Sequence, residues 1–103
     1  MARFHLTVLA EQDLAAIAAY TLDRWGEIQA ARYLDQLEAC CQLLADSPTI
    51  GRPCDEIRPG LRRMEQGRHV LFFRVRSGDS IVVVRILHQD MLPRRRSFDD
   101  EPV

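Results

Sequence analysis

The chain predicts an α+β domain, β-α-α-β-β-β in order: an antiparallel sheet covered on one face by a helical hairpin. Three observations carry this. Residues 10–25 and 27–46 have apolar side chains every three or four positions, with only Gly26 between them. Three short strand segments then follow at 61–65, 69–76 and 81–88, separated by tight turns. Residues 3–9 alternate, so an N-terminal strand joins an edge of the same sheet.

The elements follow in turn. In 3–9, Phe4, Leu6 and Val8 point one way, and Arg3, His5 and Thr7 the other, which makes His5 a surface residue. In the first helix Leu14, Ile17, Ala18, Thr21 and Trp25 form one stripe. Glu11 and Asp13 sit in its first turn, where carboxylates suit the positive end of the helix dipole. Gly26 ends it, as a C-terminal glycine does. In the second helix Ile28, Ala31, Leu34, Leu37, Cys41 and Leu44 form the stripe, and Ser47-Pro48 stops it. Residues 48–60 are rich in Pro and Gly and read as a loop. Gln66-Gly67 and Ser77-Gly78-Asp79 are the turns between the last three strands. Residues 1–92 make one domain, and 93–103 a charged tail.

Composition narrows the function classes. An apolar content of 47% and a charged content of 28% over 103 residues are those of a soluble globular domain. No stretch is apolar for long enough to span a membrane, and Glu11 and Asp13 interrupt any secretory core, so a cytoplasmic protein without membrane contact is expected. Cys40, Cys41 and Cys54 are an odd set with no C-x-x-C spacing. They read as reduced packing residues, and no metal or cofactor is expected. The net charge of −1 hides an asymmetry: residues 1–49 carry −4, residues 50–96 carry +6 and residues 97–103 carry −3. Every side-chain cation of the basic set is Arg, which suits bidentate contact with carboxylate or phosphate.

Residues 67–91, with Arg74, Arg76, Arg85 and His88 set into apolar strands, hold the candidate chemistry. In the strand at 69–76, Leu71, Phe73 and Val75 share a face, opposite Val70, Phe72, Arg74 and Arg76. In the last strand Val82, Val84, Ile86 and His88 share one, opposite Ile81, Val83, Arg85 and Leu87. If the first set of each strand faces the helices, Arg74 and Arg85 meet on an open face. Asp55, Glu56 or Glu65 then neutralises them, or the face receives an acidic partner or nucleic acid. Strict alternation also forbids burying both Phe72 and Phe73. His88 reads as a structural strand-end residue or as a general base, and His69 is similar. Arg94, Arg95 and Arg96 form a short basic cluster in the tail.

Taken together, the pieces resemble the ParE toxins of the RelE/ParE superfamily, the toxin half of type II toxin–antitoxin pairs. The likeness runs over residues 4–92. It rests on A-x-x-D-L-x-x-I-x-x-Y at 10–20, Arg24-Trp25-Gly26, and Gln29-Ala30-Ala31-x-Tyr33-x-x-x-Leu37. It continues in Pro48-x-x-Gly51-Arg52-Pro53, Arg58-Pro59-Gly60-Leu61-Arg62-Arg63, Gly67-Arg68-His69-Val70-x-Phe72-Phe73-Arg74-Val75 and Val84-Arg85-Ile86-Leu87-His88-Gln89-x-Met91.

The resemblance implies two chemistries. RelE-like members are ribosome-dependent mRNA endonucleases, with a strand Arg and a C-terminal Tyr, or His-Tyr, in the site. Here His69 stands for that Arg and Gln89 for that Tyr, and no Tyr follows Tyr33. ParE-like members instead poison DNA gyrase by protein–protein contact. The resemblance therefore implies a non-catalytic gyrase inhibitor. The alternative is a nuclease with His88 as base and Arg62, Arg63 or Arg85 as phosphate ligands. A third possibility is a member without toxicity that acts with its antitoxin in repression.

A ParD-like antitoxin in a hetero-oligomer is implied as well, and it alone would bring the chain to DNA. It would lay apolar residues along the hairpin and acids against the arginines, with Leu14, Ile17, Tyr20, Arg62, Arg63, Arg74 and Arg85 as candidate contacts. For gyrase the candidates are His88, Met91, Leu92, Arg94, Arg95 and Arg96.

Overall fold

The computed structural model describes residues 2–91. β1 (Arg3–Leu6) leads into α1 (Val8–Trp25) and α2 (Glu27–Asp46). A 3-10 turn (Pro48–Ile50) and a two-residue strand, β2 (Arg52–Pro53), follow. β3 (Leu61–Gln66), β4 (His69–Val75) and β5 (Ser80–His88) complete a five-stranded sheet of order β1-β5-β4-β3-β2. The expected α+β class and helical hairpin hold. The sheet is mixed, because β1 runs parallel to β5 while every other pairing is antiparallel. A chain that leaves β1, crosses through two helices and returns by meanders has its last strand free to accept β1 in that sense.

β1 is shorter than the alternation suggests. Thr7 stops it by capping α1: its side chain accepts from Ala10 N, and its Oγ1 donates to Val84 O at 2.7 Å. Val8 thus opens a helix and lies exposed, while Thr7, read as outward-facing, is buried. Gly26 has φ 86°, a conformation open to glycine, and joins the two helices without a spacer. Beside this joint the expected stripes fail. Trp25 is 65% and Ile28 79% exposed, on either side of the Gly26 joint. Ala31 is exposed too, whereas Ile17, Leu37, Cys41 and Leu44 are buried as predicted.

The sheet has apolar side chains buried on both faces. Towards the helices, Leu71, Phe73, Ile81, Val83 and Ile86 pack with Ile17, Leu37, Cys41 and Leu44. On the other face Leu61, Val70, Phe72, Val82, Val84 and Leu87 form a second cluster with Cys54, and Ile57 packs against it. The face expected to be open is therefore largely apolar and buried. This is why Phe72 and Phe73 are both buried despite pointing opposite ways.

A β-bulge sets the phase of β5. Phe73 stands opposite Val83 but Phe72 opposite Arg85, so Val84 is the extra residue. Beyond it the alternation is reversed. Ile86 joins Ile81 and Val83 on the helix side, and Leu87 joins Val82 and Val84. The predicted grouping of Ile86 with Val82 and Val84 assumed an unbroken strand. The three cysteines are free and buried, and burial pushes the Cys41 thiol up to about 12 and the Cys54 thiol up to about 11. Both stay protonated at neutral pH, in keeping with packing roles.

Gly51 lies where the chain passes over the Phe73 ring. A Cβ there would fall 2.4 Å from a ring carbon of a side chain with no exposed surface. Gly51→Ala is expected to destabilise the fold by about 1–3 kcal/mol, as overpacking does, without changing the denaturant m-value. Urea titration followed by circular dichroism measures it.

Candidate functional site

The β4–β5 register brings His69, the first residue of β4, opposite His88, the last of β5. Their rings meet edge to face with centroids 5.4 Å apart. Tyr33 reaches them from the second turn of α2. Its hydroxyl lies 2.5 Å from His69 Nδ1 and donates towards Gln66 O at 3.1 Å, and it accepts from Arg68 N at 3.3 Å. The phenol thus holds the β3–β4 turn. Gly67 in that turn has φ 59°, and a Cβ there would strike the Tyr33 ring. Tyr33 is the site residue that sequence spacing missed, because it comes from a helix 36 positions before the histidine it touches.

The cluster is electrically quiet. Burial, and next the neighbouring His88, hold the His69 pKa below the ordinary histidine value, against a smaller opposing pull from Asp13. Burial raises the Tyr33 pKa, against weaker opposition from Arg68. At neutral pH a neutral imidazole therefore faces a protonated phenol, and both are taken up in internal hydrogen bonds. His88 Nδ1 accepts from Asp90 N at 3.1 Å, with the Asp90 carboxylate 3.6 Å away. Among the described residues, no group of three or more His, Cys, Asp and Glu is arranged to hold a metal ion.

The arginines are dispersed. Arg85 stands opposite Phe72 and Arg74 opposite Val82, so both lie on the face away from the helices, as expected. The Arg85 guanidinium nevertheless reaches α1, where Nε and Nη2 grip Asp13 at 2.8 and 2.9 Å. Both side chains are mostly buried, and Asp13 Oδ2 also accepts Ile86 N at 3.0 Å. Asp13, from the helical hairpin, is thus an acid that neutralises Arg85 and that the expected set of Asp55, Glu56 and Glu65 did not include. Glu65 does serve Arg63, at 3.0 Å, and Arg52 beside it. Arg63 also lies over the Phe72 ring, 5.6 Å from its centroid. Arg62 points to the helix side and donates from Nε to Gly51 O at 3.1 Å. Arg74 is half-buried, opposite Leu61 and Val82.

Of the apolar candidates, Leu14 lines an open groove between α1 and α2, with Ala18 and Leu34 as further walls and Phe4 and Leu6 as floor. Ile17 is 7% exposed and belongs to the core, so it offers a partner almost no surface. Tyr20 is exposed, with the Arg24 guanidinium 5.8 Å from its ring centroid. Met91 is exposed beside the half-buried His88. Leu92, Arg94, Arg95 and Arg96 lie outside the described residues, as does the tail from 93 on.

Two outcomes test this geometry. Asp13→Ala leaves the Arg85 charge and the Ile86 N–H without their carboxylate, and is expected to cost about 3 kcal/mol of stability in chemical denaturation. His69 binds its proton less readily folded than unfolded. Stability is therefore intact above the unfolded pKa of about 6.5 and falls as pH drops below it towards the lower folded value. Melting at pH values from about 7.5 to 5 should show a steeper decline for the parent than for His69→Gln.

Comparison with known proteins places this fold. The family described as "ParE toxin of type II toxin-antitoxin system, parDE" matches residues 4–93. A Mycobacterium tuberculosis protein named Toxin ParE1 is 47% identical over 89 residues, which cover 86% of this chain and 91% of that one. Toxin ParE1 of Caulobacter vibrioides is 39% identical over 94 residues, 91% of this chain and 96% of that one. Toxin ParE of Escherichia coli is 36% identical, with 88% of each chain covered. A solved structure titled "Chromosomal ParDE TA system from P. aeruginosa" shares the fold at a TM-score of 0.70 and 24% identity, over 85% of this chain and 96% of that one. With nearly its whole sheet and both helices inside the matched span, the chain belongs to the ParE toxin family of type II toxin–antitoxin systems.

Proposed function

We propose that this toxin acts in the cytoplasm by binding DNA gyrase rather than by cutting RNA, and that a ParD-like antitoxin neutralises it. The observation that carries the reading is the cluster of Tyr33, His69 and His88. Cleavage by 2′-OH attack requires a positioned base, an acid and a cation for the phosphate. Here the strand position that would supply a cation holds His69, kept neutral by burial and by His88. The Tyr33 phenol is kept protonated and bound to the turn, and Arg85 is committed to Asp13. Gln89 follows His88 where a second phenol would be needed. The names of the relatives support a toxin with an antitoxin partner, and the ParDE title of the related structure agrees with a ParD-like one.

The purified chain is expected to block supercoiling by gyrase, or to trap cleaved DNA on it, and added antitoxin should relieve the block. Messenger RNA in a translation extract should stay intact. Cleaved message at the ribosomal A site with normal supercoiling would give the function to an endoribonuclease. Growth unaffected by expression without the antitoxin would point to a non-toxic member.

A further inference from the structure

A run of hydrogen bonds connects α2 to the residues that follow β5. The Tyr33 hydroxyl donates to Gln66 O at 3.1 Å and accepts from Arg68 N at 3.3 Å, so one phenol ties both ends of the 66–68 turn. The turn is shaped to admit it: a Cβ on Gly67 would fall 2.7 Å from a carbon of the Tyr33 ring. Arg68 O then accepts Gln89 N at 2.8 Å, and His88 O accepts Met91 N at 2.8 Å. His88 Nδ1 accepts Asp90 N at 3.1 Å. The backbone N–H groups of Gln89, Asp90 and Met91 are thereby all committed, although all three residues are exposed.

The same network fixes two tautomers. A phenol has one proton to give and can accept twice. With that proton on Gln66 O, the 2.5 Å contact between Tyr33 and His69 Nδ1 requires the imidazole to donate. Neutral His69 is therefore the Nδ1–H form, with its basic lone pair on Nε2. Neutral His88 is the opposite, Nε2–H form, because its Nδ1 accepts.

We propose that Tyr33 is a positioning residue for the surface of His88, Gln89, Asp90 and Met91, which it holds in shape through the 66–68 turn and the Arg68 carbonyl. The inference rests on the gyrase reading above and deepens it, since it locates a contact at this end of β5 and the orienting group on α2. A turn already held in one shape loses little conformational freedom when a partner covers it. That strengthens binding without adding a contact.

The test compares the full chain with Tyr33→Phe, which keeps the ring and removes the hydroxyl, and with Gly67→Ala, which pushes the ring out of the turn. Neither change touches the proposed surface. Circular dichroism melts show whether each variant is folded. In amide hydrogen exchange, Gln89 is expected to speed up about tenfold in both variants relative to Phe72 in β4, which reports global opening. Nitrogen-15 spectra of the parent should show His69 protonated on Nδ1, with the proton moving to Nε2 in Tyr33→Phe. Half-inhibition of supercoiling by gyrase should need about fivefold more of either variant. Unchanged inhibition by both variants, with the parent active, would overturn the positioning role and leave the gyrase reading intact. Weaker inhibition with no change in Gln89 relative to Phe72 would overturn it too, since the phenol would then act by another route. A His69 proton on Nε2 in the parent would overturn the network itself. A parent chain without effect on gyrase would overturn the gyrase reading, and this inference with it.

Discussion

The contact between Asp13 and the bulge of β5 is the one on which the rest of the structure depends. β1 pairs with β5 only from Ser80 to Val83, so beyond that point the β5 edge would be bare. Thr7 takes the carbonyls of Val83 and Val84, and Asp13 takes Ile86 N and the Arg85 guanidinium. The first two turns of α1 thereby replace the missing strand. A buried N–H without a partner costs free energy, and so does a half-buried guanidinium without an anion. One carboxylate serves both. It fixes α1 against the sheet, and with it the opening angle of the hairpin and the groove beneath.

The same bulge explains why the molecule buries apolar side chains on both faces of a thin sheet. By inserting Val84, it lets β5 send Val82, Val84 and Leu87 to one cluster and Ile81, Val83 and Ile86 to the other. Burial on both sides leaves little room for charge within the sheet. At its margins Arg63 finds a carboxylate and an aromatic ring, and Arg62 a carbonyl.

The site was partly legible. The two histidines stood out because each ends or begins an apolar strand, and hairpin logic alone makes those positions neighbours. Tyr33 did not stand out, since a tyrosine in an amphipathic helix carries no mark of its distant partner. Arg74 and Arg85 share the face expected of them, but only because the bulge in β5 brings Arg85 opposite Phe72. What spacing did not show is the Asp13 carboxylate that holds the Arg85 guanidinium. The exposed Trp25 and Ile28 failed differently. Helical spacing says which residues share a face, but not whether another element covers that face at each turn.

The sequence by itself determined the elements, their order, the antiparallel meander, the reduced cysteines and the family resemblance. Each of these rests on local spacing or on short motifs read in order. The tertiary structure alone decided the parallel placement of β1, the bulge, the second apolar cluster and the pairing of Asp13 with Arg85. These depend on which distant groups satisfy one another's hydrogen bonds and charges, and 72 residues separate Asp13 from Arg85. No local pattern carries that information, because the constraint that buried polar groups be paired acts in space and not along the chain.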